Sequence, residues 1–88
     1  MRLDKFLQIS RLVKRRTIAN TLCSRGAVSV NGHTAKAGKM LAVGDVICLP
    51  HPSGDDEAPK PEYEVLELPS GNVSRARAAT LYLPRSES

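Results

Sequence analysis

Residues 10–32, SRLVKRRTIANTLCSRGAVSVNG, change their hydrophobic period part-way, and that change decides the fold. From Arg16 to Arg25 the apolar residues recur at helical spacing. Ile18, Ala19, Leu22 and Cys23 form the expected buried stripe, while Arg16, Asn20 and Ser24 fall on another face. Gly26 stops the helix, because glycine takes a left-handed C-terminal conformation without a steric penalty. Val28 and Val30 then alternate with Ala27 and Ser29, the period of a strand. Asn31-Gly32 is the strongest short hairpin signal, since both residues tolerate positive φ. A helix that feeds a hairpin predicts a small α+β domain.

Upstream, Leu3, Phe6 and Leu7 occupy i, i+3 and i+4, so a first helix runs to about Ile9 or Ser10. Arg2 and Lys5 fall off its apolar stripe. Ser10 is expected to cap a second short turn. If the joint between the helices is itself helical, Arg11, Lys14 and Arg15 share one face. Downstream, His33 to Ala37 is the return strand, Gly44-Asp45 a second turn, and Val46 to Leu49 a third strand. Residues 50–61, PHPSGDDEAPKP, hold four prolines and three consecutive acids and are expected to form a flexible loop. Glu62 to Leu68 reads as a strand with Tyr63, Val65 and Leu68 on its packed side. Residues 72–82 read as a short helix with Asn72 as its cap, and 84–88 as a frayed tail. The expected division is therefore a domain over 1–50, a loop over 51–61, and a C-terminal strand and helix over 62–83.

Charge is distributed unevenly. Residues 1–50 carry nine Lys and Arg against two Asp, a net of +7, whereas residues 51–88 carry four against seven, a net of −3. Such asymmetry points to a polyanion on the N-terminal half, against the plainer reading of a solvated basic surface. Two cysteines are too few for a disulfide framework. No apolar run approaches the roughly 18 residues of a membrane span, and Asp4 and Lys5 interrupt the first apolar stretch before a signal core can form. The expectation is a soluble, cytoplasmic chain with no membrane partner, monomeric on its own.

Catalysis finds no support in the residues. There is no phosphate-binding glycine loop and no serine nucleophile elbow, and the acids cluster away from any basic pocket. Cys23, His33, Cys48 and His51 could be weighed as a metal set, but their intervals match no familiar zinc module, and a core cysteine, a strand cysteine and two surface histidines explain them. No cofactor is expected. Nucleic acid accounts best for the cluster Arg11, Lys14, Arg15 and Arg16, because Arg16 opens a helix whose free amides favour phosphate and because arginine grips phosphate through a planar fork. Lys36 and Lys39 extend this footprint. Only three aromatics exist, and Phe6 belongs to the core. A single-strand reader stacks bases on aromatic platforms, so structured RNA fits better.

RLDKFL at 2–7, SRLVKRRTIA at 10–19, Gly26, VSVNG at 28–32, Lys36 and Gly44-Asp45 together resemble the S-four-type RNA-binding domain. The resemblance covers roughly residues 1–50. It implies two helices on a small bent antiparallel sheet, the αL motif. Stand-alone chains of this kind form the family of ribosome-associated quality-control protein P and the fifteen-kilodalton heat-shock protein. That resemblance implies a non-catalytic RNA binder on obstructed large ribosomal subunits. Its expected partners are ribosomal RNA and peptidyl-tRNA, and it would assist alanine tailing by a partner factor. A heat-shock-type recycling factor, or a general structured-RNA module, is the alternative; a metal-dependent regulator and a protein-interaction module are others. Carried onto this chain, Arg2, Asp4, Lys5, Arg11, Lys14, Arg15, Arg16 and Thr17 occupy the family's RNA-facing signature; all but Asp4, together with Lys36 and Lys39 from the charge reading, are expected to face RNA. Asp4 is expected to orient neighbouring cations, since phosphate repels a bare carboxylate. Many family members have Ser or Thr where Arg15 stands, so the second helix is expected to lack that cap.

Overall fold

Helix α1 (Leu3–Ile9) buries Leu3, Phe6 and Leu7 completely and leaves Lys5 exposed, as the spacing predicts. These are the anchors of a core that α2 (Arg16–Ser24) completes with Ala19 and Cys23. The computed structural model describes residues 1–50, 60–69 and 73–85. Strands β1 (Ser29–Val30), β2 (His33–Thr34), β3 (Val46–Cys48), β4 (Glu62–Val65) and β5 (Tyr82–Arg85) form one antiparallel sheet in the order β2-β1-β3-β4-β5. A one-turn helix α3 (Arg75–Ala78) connects β4 to β5. Val28, Val30, Ile47, Val65 and Leu81 join the helical residues in a single cluster. The architecture is the expected α+β.

The joint between α1 and α2 is not helical. Ser10 closes α1 rather than capping a new turn: it is buried, and its hydroxyl donates to the Leu7 carbonyl at 3.3 Å. Arg11 takes φ 62°, a left-handed conformation that costs an L-residue about 1–2 kcal/mol and ends any helical run. The chain then folds back, with the Val13 amide donating to the Leu7 carbonyl at 3.0 Å and Val13 buried. The helical face proposed for Arg11, Lys14 and Arg15 therefore does not exist. Ile18 also departs from expectation: it is 50% exposed, because α2 turns a narrower stripe inward through Ala19 and Cys23.

Gly26 ends α2 at φ 72°. Its amide donates to the Cys23 carbonyl at 3.1 Å and that of Ala27 to the Leu22 carbonyl at 3.0 Å, the paired closure of a Schellman motif. Asn31 (φ 54°) and Gly32 (φ 83°) form the expected tight turn between β1 and β2. Asn31 has a second task that its place in the turn did not reveal. Its Oδ1 accepts the Val46 amide at 2.9 Å, and its Nδ2 donates to Asp45 Oδ1 at 3.1 Å. Asp45 Oδ2 in turn accepts the Ala42 amide at 2.9 Å. The hairpin tip is thus tied to the turn before β3. Replacing Asn31 with Ala removes both bonds and places alanine at positive φ, so a loss of about 2 kcal/mol is expected. Thermal unfolding should fall by roughly 8–16 °C. Asn31→Gly, which keeps the φ but not the bonds, should recover part of it.

The C-terminal part corrects the sequence reading. Residues 81–85 do not continue a helix or fray: Tyr82 to Arg85 pair with β4 in the register Val65↔Tyr82 to Glu62↔Arg85. Pro84 is tolerated because β5 is an edge strand. Tyr63 and Tyr82 pack edge-to-face with ring centroids 5.3 Å apart. Ser74 caps α3, accepting the Arg77 amide at 3.3 Å. Asn72, most of the proline-acid loop (51–59) and the last three residues of the expected tail lie outside the described residues.

Candidate nucleic-acid interface

Among the described residues Asp4 is the only charged side chain in the core. A buried carboxylate must find compensating partners, and Asp4 finds three. Oδ1 accepts the Lys5 amide at 2.8 Å and lies 3.4 Å from Arg2 Nε, while Oδ2 accepts Arg16 Nε at 3.4 Å. The Asp4 side chain is 3% exposed, against 51% and 53% for Arg2 and Arg16. Both guanidiniums are engaged through Nε, which leaves their Nη donors for a ligand. The expected orienting role of Asp4 thus has a concrete geometry: one carboxylate joins the residue before α1 to the first residue of α2.

The start of α1 fixes a second part of the same face. Arg2 offers no side-chain cap, so the Leu3 and Asp4 amides donate instead to the carbonyls of Lys39 (2.8 Å) and Ala37 (3.2 Å). The Lys39 amide closes the turn onto the Lys36 carbonyl at 3.0 Å. A Cβ added at Gly38 would lie 3.9 Å from Arg2 Nη2, so this turn sits directly beside the anchored guanidinium. Lys36 and Lys39 are both exposed there. The structure thus brings Arg2, Arg16, Lys36 and Lys39 onto a connected surface through three separate segments.

Lys5, Arg11, Lys14, Arg15 and Thr17 are also exposed, around α1 and the joint. Leu12 is half-buried and Val13 buried, so the apolar members of the joint fold inward while its cations point to solvent. Arg15 is the N-cap residue of α2 in extended conformation and makes no side-chain cap bond, as its identity implied. Cys23 lies in the core near Asp4, where burial pushes its thiol pKa up and the carboxylate adds to the effect. It remains a neutral packing residue at ordinary pH. Arg25 escaped the sequence reading of the site. It lines a shallow depression with Lys36, although it follows α2 and offers no motif of its own.

Comparison with known proteins places the chain in a family. The S4 domain matches residues 1–47. The chain belongs to the S4-domain family. All nine residues expected to face RNA lie within the matched S4 segment. A Helicobacter pylori protein (strain 26695) named RQC P-site tRNA stabilizing factor is 41% identical over 88 residues, covering 99% of both chains. A protein of the same name from Halalkalibacterium halodurans is 53% identical over 49 residues; this match spans 56% of each chain. Among solved structures, Heat Shock Protein 15 of Vibrio cholerae superposes with a TM-score of 0.80 at 26% identity, covering 98% of this chain and 82% of that one. The solution structure of a hypothetical protein matches over the whole of both chains, with a TM-score of 0.78 and 40% identity. The likeness to these solved structures therefore reaches beyond the residues that the S4 domain matches.

Proposed function

We propose that this chain is a non-catalytic RNA-binding factor acting on obstructed large ribosomal subunits, where it holds ribosomal RNA and peptidyl-tRNA. The observation that carries the reading is the Asp4-anchored pair, Arg2 and Arg16, beside the Lys36–Lys39 turn. Anchored guanidiniums are already ordered, so less rotamer entropy is lost when phosphate binds. Full-length relatives named for stabilizing P-site tRNA supply the setting. Phe6 is fully buried, and Tyr63 and Tyr82 pack against each other, which leaves no aromatic platform for single-stranded bases. Structured RNA held through phosphates is the ligand this surface suits. In this reading the protein is cytoplasmic, monomeric off the ribosome, and assists alanine tailing by a partner factor.

Affinity for large subunits should fall steeply with salt, with a log–log slope of about −0.7 to −0.9 per phosphate contacted. A titration by co-sedimentation at several salt concentrations measures it, and a flat response would remove the electrostatic basis. Crosslinking in cells, followed by sequencing of the bound RNA, identifies the partner directly. The likeness to Heat Shock Protein 15 favours a second reading, recycling of the same subunits without tailing. Strains lacking the protein separate the two: loss of alanine tails supports the first, and unchanged tails the second.

A further inference from the structure

We infer that the depression between the C-terminal end of α2 and the β2 side of the sheet is a second phosphate seat, lined by Arg25 and Lys36. Its walls include Cys23, Ser24, Thr34 and Gly38, and none of its lining residues is acidic. α2 meets β2 closely here, for a Cβ added at Gly26 would lie 3.6 Å from Thr34 Cγ2. Arg25 and Lys36 are exposed and form no ion pair among the described residues. Two cations that line one acid-free hollow without an ion-pair partner suit a compact anion.

The C-terminal end of a helix is electronegative and opposes an anion. In α2 the carbonyls of Thr21, Leu22 and Cys23 are each engaged, by the amides of Arg25, Ala27 and Gly26, which weakens that field. Asp4 lies near Cys23, but its charge is already matched by Arg2 and Arg16. The seat is also distinct from the anchored pair. Arg16 opens α2 and Arg25 follows its last residue, a rise of about 14 Å, or roughly four steps along a stacked strand. Gly38 borders both places, so the two contacts lie along one continuous track. The ligand class is a backbone phosphate of structured RNA, and the inference rests on the RNA-binding reading above.

The test compares Arg25→Ala/Lys36→Ala with Lys36→Ala alone, since Lys36 also belongs to the face beside Arg2, using transcribed large-subunit ribosomal RNA as the probe. Both side chains are exposed, so the fold should survive, and a thermal melt checks it. The expected result is a salt slope shallower by about 0.7–0.9, the value of one phosphate, and roughly tenfold weaker binding at moderate salt. Hydroxyl-radical footprinting should lose protection at one end of the bound segment and keep the rest. Arg85→Ala, on β5, should change neither. An unchanged slope and footprint in the double variant overturn the second seat while leaving the RNA reading intact. An equal effect from Arg85→Ala overturns it as well, since general charge would then explain the loss. Wild-type protein without salt-dependent RNA binding overturns both readings.

Discussion

The triple variant Arg11→Ala/Lys14→Ala/Arg16→Ala should bind large ribosomal subunits at least about 100-fold more weakly than the wild type at moderate salt. Each lost contact is a charge-assisted bond worth about 1.5–3 kcal/mol, so even partial engagement of the three exceeds the roughly 2.7 kcal/mol that 100-fold requires. The salt slope should become shallower by about 2 to 2.7, from three phosphates released. All three side chains are exposed and stand outside the core. Arg16 is the one with a structural partner, and Arg2 continues to neutralise Asp4 when it is gone. The melting temperature should therefore move by only a few degrees. A variant that still co-sediments fully with large subunits sinks the site assignment. A variant that unfolds leaves Arg11→Ala/Lys14→Ala, which touches no ion pair, to decide the point by its own slope, shallower by about 1.4–1.8.

Much of the N-terminal half is legible because its local signals agree with one another. Leu3, Phe6 and Leu7 spell one helix face, Gly26 one stop, and Asn31-Gly32 one turn, and each is realised without tertiary override. What failed to show is of a different physical kind. Arg11 carries no mark of a left-handed conformation, because side-chain chemistry does not favour it there; the packing of Val13 under α1 imposes it. Ile18 obeys the helical period, yet it is half-exposed, for the helix turns Ala19 and Cys23 inward instead. β5 is four residues long and contains Pro84, and edge pairing with β4 rather than propensity makes it a strand. In the site, Arg2 and Lys39 lie 37 positions apart in sequence. The capping of α1 by the 37–39 backbone and the antiparallel bridge between Arg2 and Met40 bring them together, and no spacing rule could announce that. Arg25 is legible only as one of many cations until the hollow beside it is seen.

Asp4→Asn tests whether the face works by charge or by order, because the two accounts predict opposite signs. The substitution removes one negative charge and raises the formal net charge above the native +4. If the surface attracts RNA only through its summed field, the variant binds more tightly. If Asp4 acts by holding Arg2 and Arg16 in place, the variant binds more weakly, since each released guanidinium must then be ordered on binding at a cost of about 0.5–1.5 kcal/mol. We expect the second result, a loss of roughly 5- to 100-fold, with an off-rate that rises more than the on-rate falls. The asparagine amide keeps the volume and an oxygen for the Lys5 amide, so stability should drop by only about 1–2 kcal/mol. The reverse truncation is harsher. Arg2→Ala/Arg16→Ala strands a carboxylate that is 3% exposed, and removing the partners of a buried charge costs about 3–5 kcal/mol. The order of stabilities, wild type above Asp4→Asn above the double arginine variant, is measurable by denaturant melts. Tighter binding by Asp4→Asn would show instead that these arginines need no anchor, and that Asp4 serves the fold alone.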